Sequence, residues 1–370
     1  MSSNRFLAIT GSITRIPAFL AAAGLRRLFV SEGLADWSAI ATDFRRLTPP
    51  SRPIATSRGL ITYHPWYQNF DAKAVHKCLG EAASLGATFL RSDIRWCDLM
   101  PDGKNVNEGA LAWYLAYFEA VRSGYGMEPM LVLSNPPRKT HGFTRNELLV
   151  AWETYVRKVV DRFGHVCQSY QVLNEVNNPL YRIFPHDEIA SVVSSSTEII
   201  RGQIPTASVI VSILAGVFHW RRDAEALVRQ CAANIDVLGL DYYPGTWALA
   251  DSTDWSEIED FIRGLNSRAH EGFSRTCELA ILETGYACNI PFLRGPQQQA
   301  NYFRGWKTVI PRLETICRSG KLSYIGIYEL CDASSSAWLD PEAHFGLLDS
   351  RTLAHKAAFE EVHHLFSSLA

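Results

Sequence analysis

The stretch SYQVLNEVNNP, residues 169–179, governs the reading of the whole chain. Its apolar run of Tyr170, Val172 and Leu173 stops abruptly at Asn174 and Glu175, and the breakers Asn177, Asn178 and Pro179 follow. β-Branched and aromatic residues closed off by turn formers predict a short buried strand. A carboxylate and a side-chain amide then stand at its C-terminal tip. ELAILETGY, residues 278–286, has the same design: Leu279, Ala280, Ile281 and Leu282 are stopped by Glu283 and Gly285. Two glutamates on two distant strand tips predict one site assembled from separate parts of the chain.

Outward from these two stretches the chain alternates between strand and helix patterns. Strands are expected over 59–63, 88–94, 129–133, 208–213, 235–241 and 323–328, besides the two already quoted. Helices with 3.6-residue apolar spacing are expected over 71–85, 107–123, 144–163, 185–202, 222–233, 255–273, 296–319 and 355–369. The helix over 144–163 opens on Thr144 with Glu147 three residues on, the pattern of a capping box. The strands read as nearly continuous apolar runs, as expected when both faces are buried in a parallel sheet. Eight such units in 370 residues predict an α/β fold, a closed (β/α)8 TIM barrel, which commonly needs about 250 residues. An open doubly wound sheet fits less well. No GxGxxG follows the first strand, and polar residues gather after almost every strand rather than at one switch point.

Residues 1–57 are expected to be an N-terminal extension and linker, with residues 58–370 forming the catalytic barrel. The stretch AFLAAAGLRRLFV, residues 18–30, is apolar but cut by Arg26 and Arg27. It reads as an extra helix, with an atypical secretion signal as the alternative. TPPSRPIATS, residues 48–57, reads as the linker. No stretch approaches the roughly 20 apolar residues of a membrane span. Lys and Arg total 36 against 38 Asp and Glu, which gives no electrostatic case for nucleic acid or an anionic membrane. The 8 cysteines form no CxxC pair, so a zinc ribbon or thioredoxin motif is not expected. Read as small buried hydrophobes, they favour a reducing, cytoplasmic setting.

In a (β/α)8 barrel all strand C-termini open onto one face. That face is expected to gather His64 and Trp66, Arg91 and Trp96, Asn135, Asn174 and Glu175, Asp241 and Tyr243, Glu283, and Tyr328 and Glu329. Ionised groups here need solvent or each other. Two opposed carboxyls among amides and aromatics suit glycoside hydrolysis. One protonates the leaving oxygen while the other attacks the anomeric carbon or activates a water. Arg91 could keep Glu283 ionised by charge proximity. No HxH or HExxH pattern occurs, so neither a metal nor another cofactor is expected. A barrel that binds a glycan without cleaving it is the alternative, since fold does not fix function.

An Asn-Glu pair ending the fourth strand, with a Glu ending the seventh, resembles the clan A glycoside hydrolases. FLRSDIRWCDLMPDG, residues 89–103, is similar to the second-strand segment of families 39 and 42, and IDVLGLDYYPG, residues 235–245, to their sixth. IYELCDA, residues 327–333, and PEAHFGLLDSRTLAHKAAF, residues 341–359, resemble the eighth strand and closing segment of families 5 and 39. The resemblance implies a retaining enzyme acting on a carbohydrate, with Glu175 as acid/base and Glu283 as nucleophile. It also implies that Asn174 binds the sugar 2-hydroxyl, that Tyr243 orients Glu283 and that Arg91 supports it. Asp241 stands where several of these families place His or Asn, and Tyr328 where many carry Trp.

Overall fold

The computed structural model describes residues 36–54, 57–217, 219–231, 233–248, 250–267, 277–288, 294–317, 319–333 and 340–369. Eight parallel strands close on themselves in sequence order. They are β1 (Gly59–Thr62), β2 (Phe89–Arg95), β3 (Glu128–Ser134), β4 (Ser169–Val172), β5 (Ser208–Leu214), β6 (Val237–Asp241), β7 (Glu278–Glu283) and β8 (Ile325–Ile327). β1 pairs with β8 as well as β2, which completes the barrel. The expected (β/α)8 architecture is therefore observed.

A helix ahead of β1, α1 (Trp37–Arg46), precedes the barrel units. After the strands come α2 (Ala72–Ser84), α3 (Glu108–Glu119), α4 (Arg145–Phe163), α5 (Ile189–Gln203), α6 (Trp220–Cys231), α7 (Ser256–Ser267), α8 (Pro296–Ile316) and α9 (Ala358–Ser367). The capping box expected at Thr144 and Glu147 opens α4. The helix expected over 18–30 lies outside the described residues. α1 begins on Asp36, whose side chain accepts from the Ala39 amide, and buries Trp37, Ala41 and Phe44. Trp37 meets Phe70 and Trp113, and Phe44 meets His76 and Trp113. That face covers α2 and α3.

Alternation along the strands sorts side chains into two cores. Tyr170, Val172, Leu131, Leu133, Val211 and Leu240 face the helices. Leu60, Met130, Ile210, Val237, Ala280 and Leu282 fill the barrel interior. One step toward the C-terminal ends, the interior changes character. Thr62, Arg91, Gln171, Ser212 and Asp241 are all buried there. Buried polar groups in such number need partners, and most of them bond to one another. Above this polar layer Leu214, Tyr243, Tyr328 and Phe345 pack together. The site lies between these two layers.

Candidate active site

Glu283 reaches the interior through a fault in the ladder. Ala280 and Leu282 both point inward, so strict alternation would send Glu283 out toward the helices. The β6–β7 register shifts at this point: Leu240 pairs with Ile281, and Asp241 with Glu283. Leu282 is thus the extra residue of a bulge, which re-aims the next side chain. Gly239 makes the bulge possible, because a Cβ there would lie 2.1 Å from Leu282 Cδ1. Gly285 serves the next step, since a Cβ would lie 2.1 Å from the Tyr328 carbonyl oxygen.

Glu175 is placed by a different device. After β4 the backbone turns through Leu173 (φ 65°) and Glu175 (φ 43°), both left-handed. This conformation costs a side-chain-bearing residue roughly 1–2 kcal/mol. It is held by Glu175 N–H donating to Ser212 Oγ at 3.0 Å and by Asn178 N–H donating to the Glu175 carbonyl at 2.7 Å. Asn177 anchors the turn to β5 by accepting from the Leu214 amide and donating to its carbonyl.

The two carboxyls meet different surroundings. Arg91 Nη1 lies 2.6 Å from Glu283 Oε1. Tyr243 Oη donates to Glu283 Oε2. Both oxygens of Glu283 are therefore engaged. The remaining reach of Arg91 is also committed, to Gln171 at 2.8 Å, Asn174 at 2.9 Å and Thr62 at 3.3 Å. Glu175 accepts only from Asn178 Nδ2, at 2.6 Å on Oε2. Oε1 has no hydrogen bond among the described residues, which leaves it to carry a proton. One carboxyl oxygen each from Glu175, Asp241 and Glu283 lie within 4.8 Å of one another.

Burial raises the Glu175 carboxyl well above the ordinary carboxylate range, and the charges of Glu283 and Asp241 push it the same way. Burial likewise raises Asp241, with Glu283 adding to the effect. Burial alone would lower the Arg91 guanidinium, but Glu283, Asp241 and Asp93 outweigh it and hold it charged. Tyr243 is raised by burial and by Glu283, so it remains a donor. Asp93 is pushed up to about 6, by burial first, with Arg91 pulling against.

The other expected site residues fall in four places. Asn174 belongs to the centre. Its Oδ1 accepts from Arg91 and from Gln171 Nε2, each at 2.9 Å, which leaves its amide nitrogen to donate elsewhere. His64, Trp66 and Tyr328 form one wall. His64 stacks on Trp66 at 4.4 Å and stands edge-on to Tyr328 at 5.9 Å, and Tyr328 is edge-on to Tyr243 at 5.8 Å. Asn135, at the β3 tip, donates to Asp93 at 2.8 Å. Trp96 corrects the sequence reading. It is fully buried in the helix layer, stacked on Tyr155 at 5.4 Å and edge-on to Trp152 at 5.7 Å. Arg95 takes the place expected of it, lying 5.0 Å over the Trp66 ring while paired to Asp98 at 2.8 Å.

Several partners went unread in the sequence. Gln171, Ser212 and Thr62 hold Arg91, Asn174 and Glu175 in place, yet each is one polar letter within an apolar strand. Their signal was alternation: each falls on the inward parity. Asn178 was read only as a breaker. Glu342, which accepts from Tyr328 Oη at 2.7 Å, lies beyond the strand tips. Glu329, expected at the β8 tip, lies 3.8 Å from His64.

No protein-family model matches the chain. A 6-phospho-beta-glucosidase of Clostridium longisporum is 29% identical over 107 residues, 27% of this chain and 22% of that enzyme. An exo-beta-1,4-mannosidase from Opitutaceae bacterium strain TAV5 superposes with a TM-score of 0.64 at 16% identity, over 86% of this chain and 61% of that one. A family 39 glycoside hydrolase from Bacteroides cellulosilyticus WH2 gives 0.61 at 15% identity, over 86% and 64%. A GH5_18 structure from Bifidobacterium longum subsp. infantis gives 0.66 at 15%, over 85% and 80%. The chain thus spans less than two thirds of the first two structures. The fold is the one these glycoside hydrolases share, and the resemblance to families 39 and 5 read from the sequence holds at that level.

Proposed function

We propose that the protein is a retaining glycoside hydrolase that cleaves β-linked O-glycosides by double displacement, with Glu175 as acid/base and Glu283 as nucleophile. The observation that carries this reading is the contrast between two adjacent carboxyls. Glu283 has both oxygens engaged, one by the Arg91 guanidinium and one by the Tyr243 hydroxyl. Glu175 is buried beside negative charge with one oxygen open, which favours the protonated form. One oxygen of each lies within 4.8 Å of the other, which supports the close carboxyl spacing of retaining enzymes, roughly 5–5.5 Å, over the wider spacing of inverting ones.

The steps follow from these positions. Glu175 gives its proton to the leaving oxygen as Glu283 attacks the anomeric carbon. Glu175, now ionised, takes a proton from the water that hydrolyses the glycosyl-enzyme. Asn174 donates its amide to the sugar 2-hydroxyl, and the His64–Trp66–Tyr328 wall supplies aromatic surface for the ring. Asn135, bonded to Asp93, stands at the β3 tip. Neutral glycosides suit this cup better than phosphorylated ones, because Arg91 and Arg95 are already engaged by Glu283 and Asp98.

A panel of chromogenic aryl β-glycosides, with and without EDTA and including a 6-phosphoglucoside, tests the reading. Turnover of a neutral glycoside that EDTA leaves intact supports it. Glu283→Gln should abolish that turnover, and a 2-fluoro-sugar should label Glu283 alone. Labelling elsewhere, or an active Gln variant, removes the nucleophile assignment. A protein that binds glycans but turns over none of the panel is the non-catalytic barrel.

A further inference from the structure

The third carboxyl of the centre, Asp241, is used by no step of the proposed reaction. It ends β6, points into the barrel and is fully buried. Ser212 and the Glu283 N–H lie beside it and favour its ionised form, but among the described residues neither carboxyl oxygen receives a hydrogen bond of good geometry. The charged and titratable groups around it are Glu283 from β7, Glu175 from the turn after β4, Arg91 from β2 and Tyr243 just past the end of β6, with Asp93 beyond Arg91. Only one of these is a cation. Four of the five N–H groups of Arg91 go to Glu283, Asn174, Gln171 and Thr62. An ionised Asp241 would thus be a buried charge with only poorly aligned donors and two carboxyl neighbours, an arrangement that drives a carboxyl to take up a proton.

The geometry points to Asp241 as a positioning residue that holds a proton throughout the working range, so that the charge of Arg91 is left wholly to Glu283. Three carboxyls around one guanidinium then share two protons, one on Glu175 and one on Asp241. The site keeps a single negative charge, on the carboxylate that attacks. Were Asp241 ionised, its charge would compete with Glu283 for Arg91. With no exposed surface, Asp241 acts through Glu283 rather than on the sugar. Burial raises its carboxyl in the same direction.

The role of Asp241 in catalysis rests on the glycosidase reading, but its protonation can be read without substrate. In Glu175→Gln the proposed acid no longer contributes a carboxylic-acid carbonyl band to the infrared spectrum. At about pH 8 Asp93, pushed up to about 6, is ionised as well. A carboxylic-acid band should remain, and it should vanish when Asp241→Asn is added. If the double variant does not fold, carbon-13 aspartate in Glu175→Gln should shift that band, because it belongs to an aspartate. No band, a band that survives Asp241→Asn, or one that aspartate labelling leaves in place would overturn the proposal. In an active enzyme, Asp241→Asn should leave the basic limb of the kcat/KM pH profile, which the raised Glu175 sets, where it is. An ionised Asp241 would instead make that limb move acidward on substitution.

Discussion

Glu175 and Glu283 are the same amino acid, and each is 5% exposed. What separates them is the set of atoms around each carboxyl. That set was only half legible in the sequence. A carboxylate that interrupts a β-rich run is visible as a letter, so both glutamates could be named. The donors to Glu283 come from β2 and the end of β6, and the donor to Glu175 from its own turn. Arg91 could be named because an Arg inside an apolar run is costly without a partner. Trp96 misled for the converse reason: a Trp just after a strand reads the same whether it turns to the cup or, as here, to Trp152 and Tyr155. At this scale Glu175→Ala should separate leaving groups. Aryl glycosides with good leaving groups should still form the glycosyl-enzyme, whose breakdown should be slow and restored by azide. If azide restores nothing and both Glu variants fail alike on every leaving group, the acid/base role is wrong. Stability should respond as well. The raised Glu175 favours the folded state fully below the unfolded value of about 4.3, and that contribution is lost as pH rises through the folded value. Glu175→Gln removes a buried ionisable group. Its melting temperature should exceed that of the parent at pH 8, with the gain shrinking toward pH 4. A gain equal at both pH values would show that the carboxyl keeps its ordinary proton affinity.

The eight strand-helix units were legible because each strand is short, apolar and closed by a breaker, and each helix carries a 3.6-residue stripe. Three features were not. α1 was passed over because the apolar stretch over 18–30 drew attention from Asp36, Trp37, Ala41 and Phe44, which carry an N-cap and helical spacing. The left-handed turn at Leu173 and Glu175 has no glycine to announce it. The β7 bulge depends on β6, since Gly239 vacates the volume that Leu282 enters. Gly239→Ala tests that dependence. Its Cβ must displace the Leu282 side chain, an overpacking that costs about 1–3 kcal/mol. Because Leu282 precedes Glu283, the variant should also lose kcat, about a hundredfold for a 1 Å misplacement of the attacking group, with KM little changed. Denaturant unfolding and steady-state kinetics check both. A variant that is destabilised but catalytically normal would show that the bulge is packing alone.

At the scale of the whole molecule, closure is what turns scattered letters into a site. Glu175 and Glu283 are 108 positions apart in the sequence, and the barrel brings one carboxyl oxygen of each within 4.8 Å. The proposed reaction has a stereochemical consequence. If Glu283 attacks the anomeric carbon itself, two successive displacements return the starting configuration. The most direct measurement is a proton NMR time course of the first anomer released from a β-glycoside, recorded before mutarotation. The account predicts the β-anomer first. An α-anomer appearing first would contradict it, even with both glutamates essential.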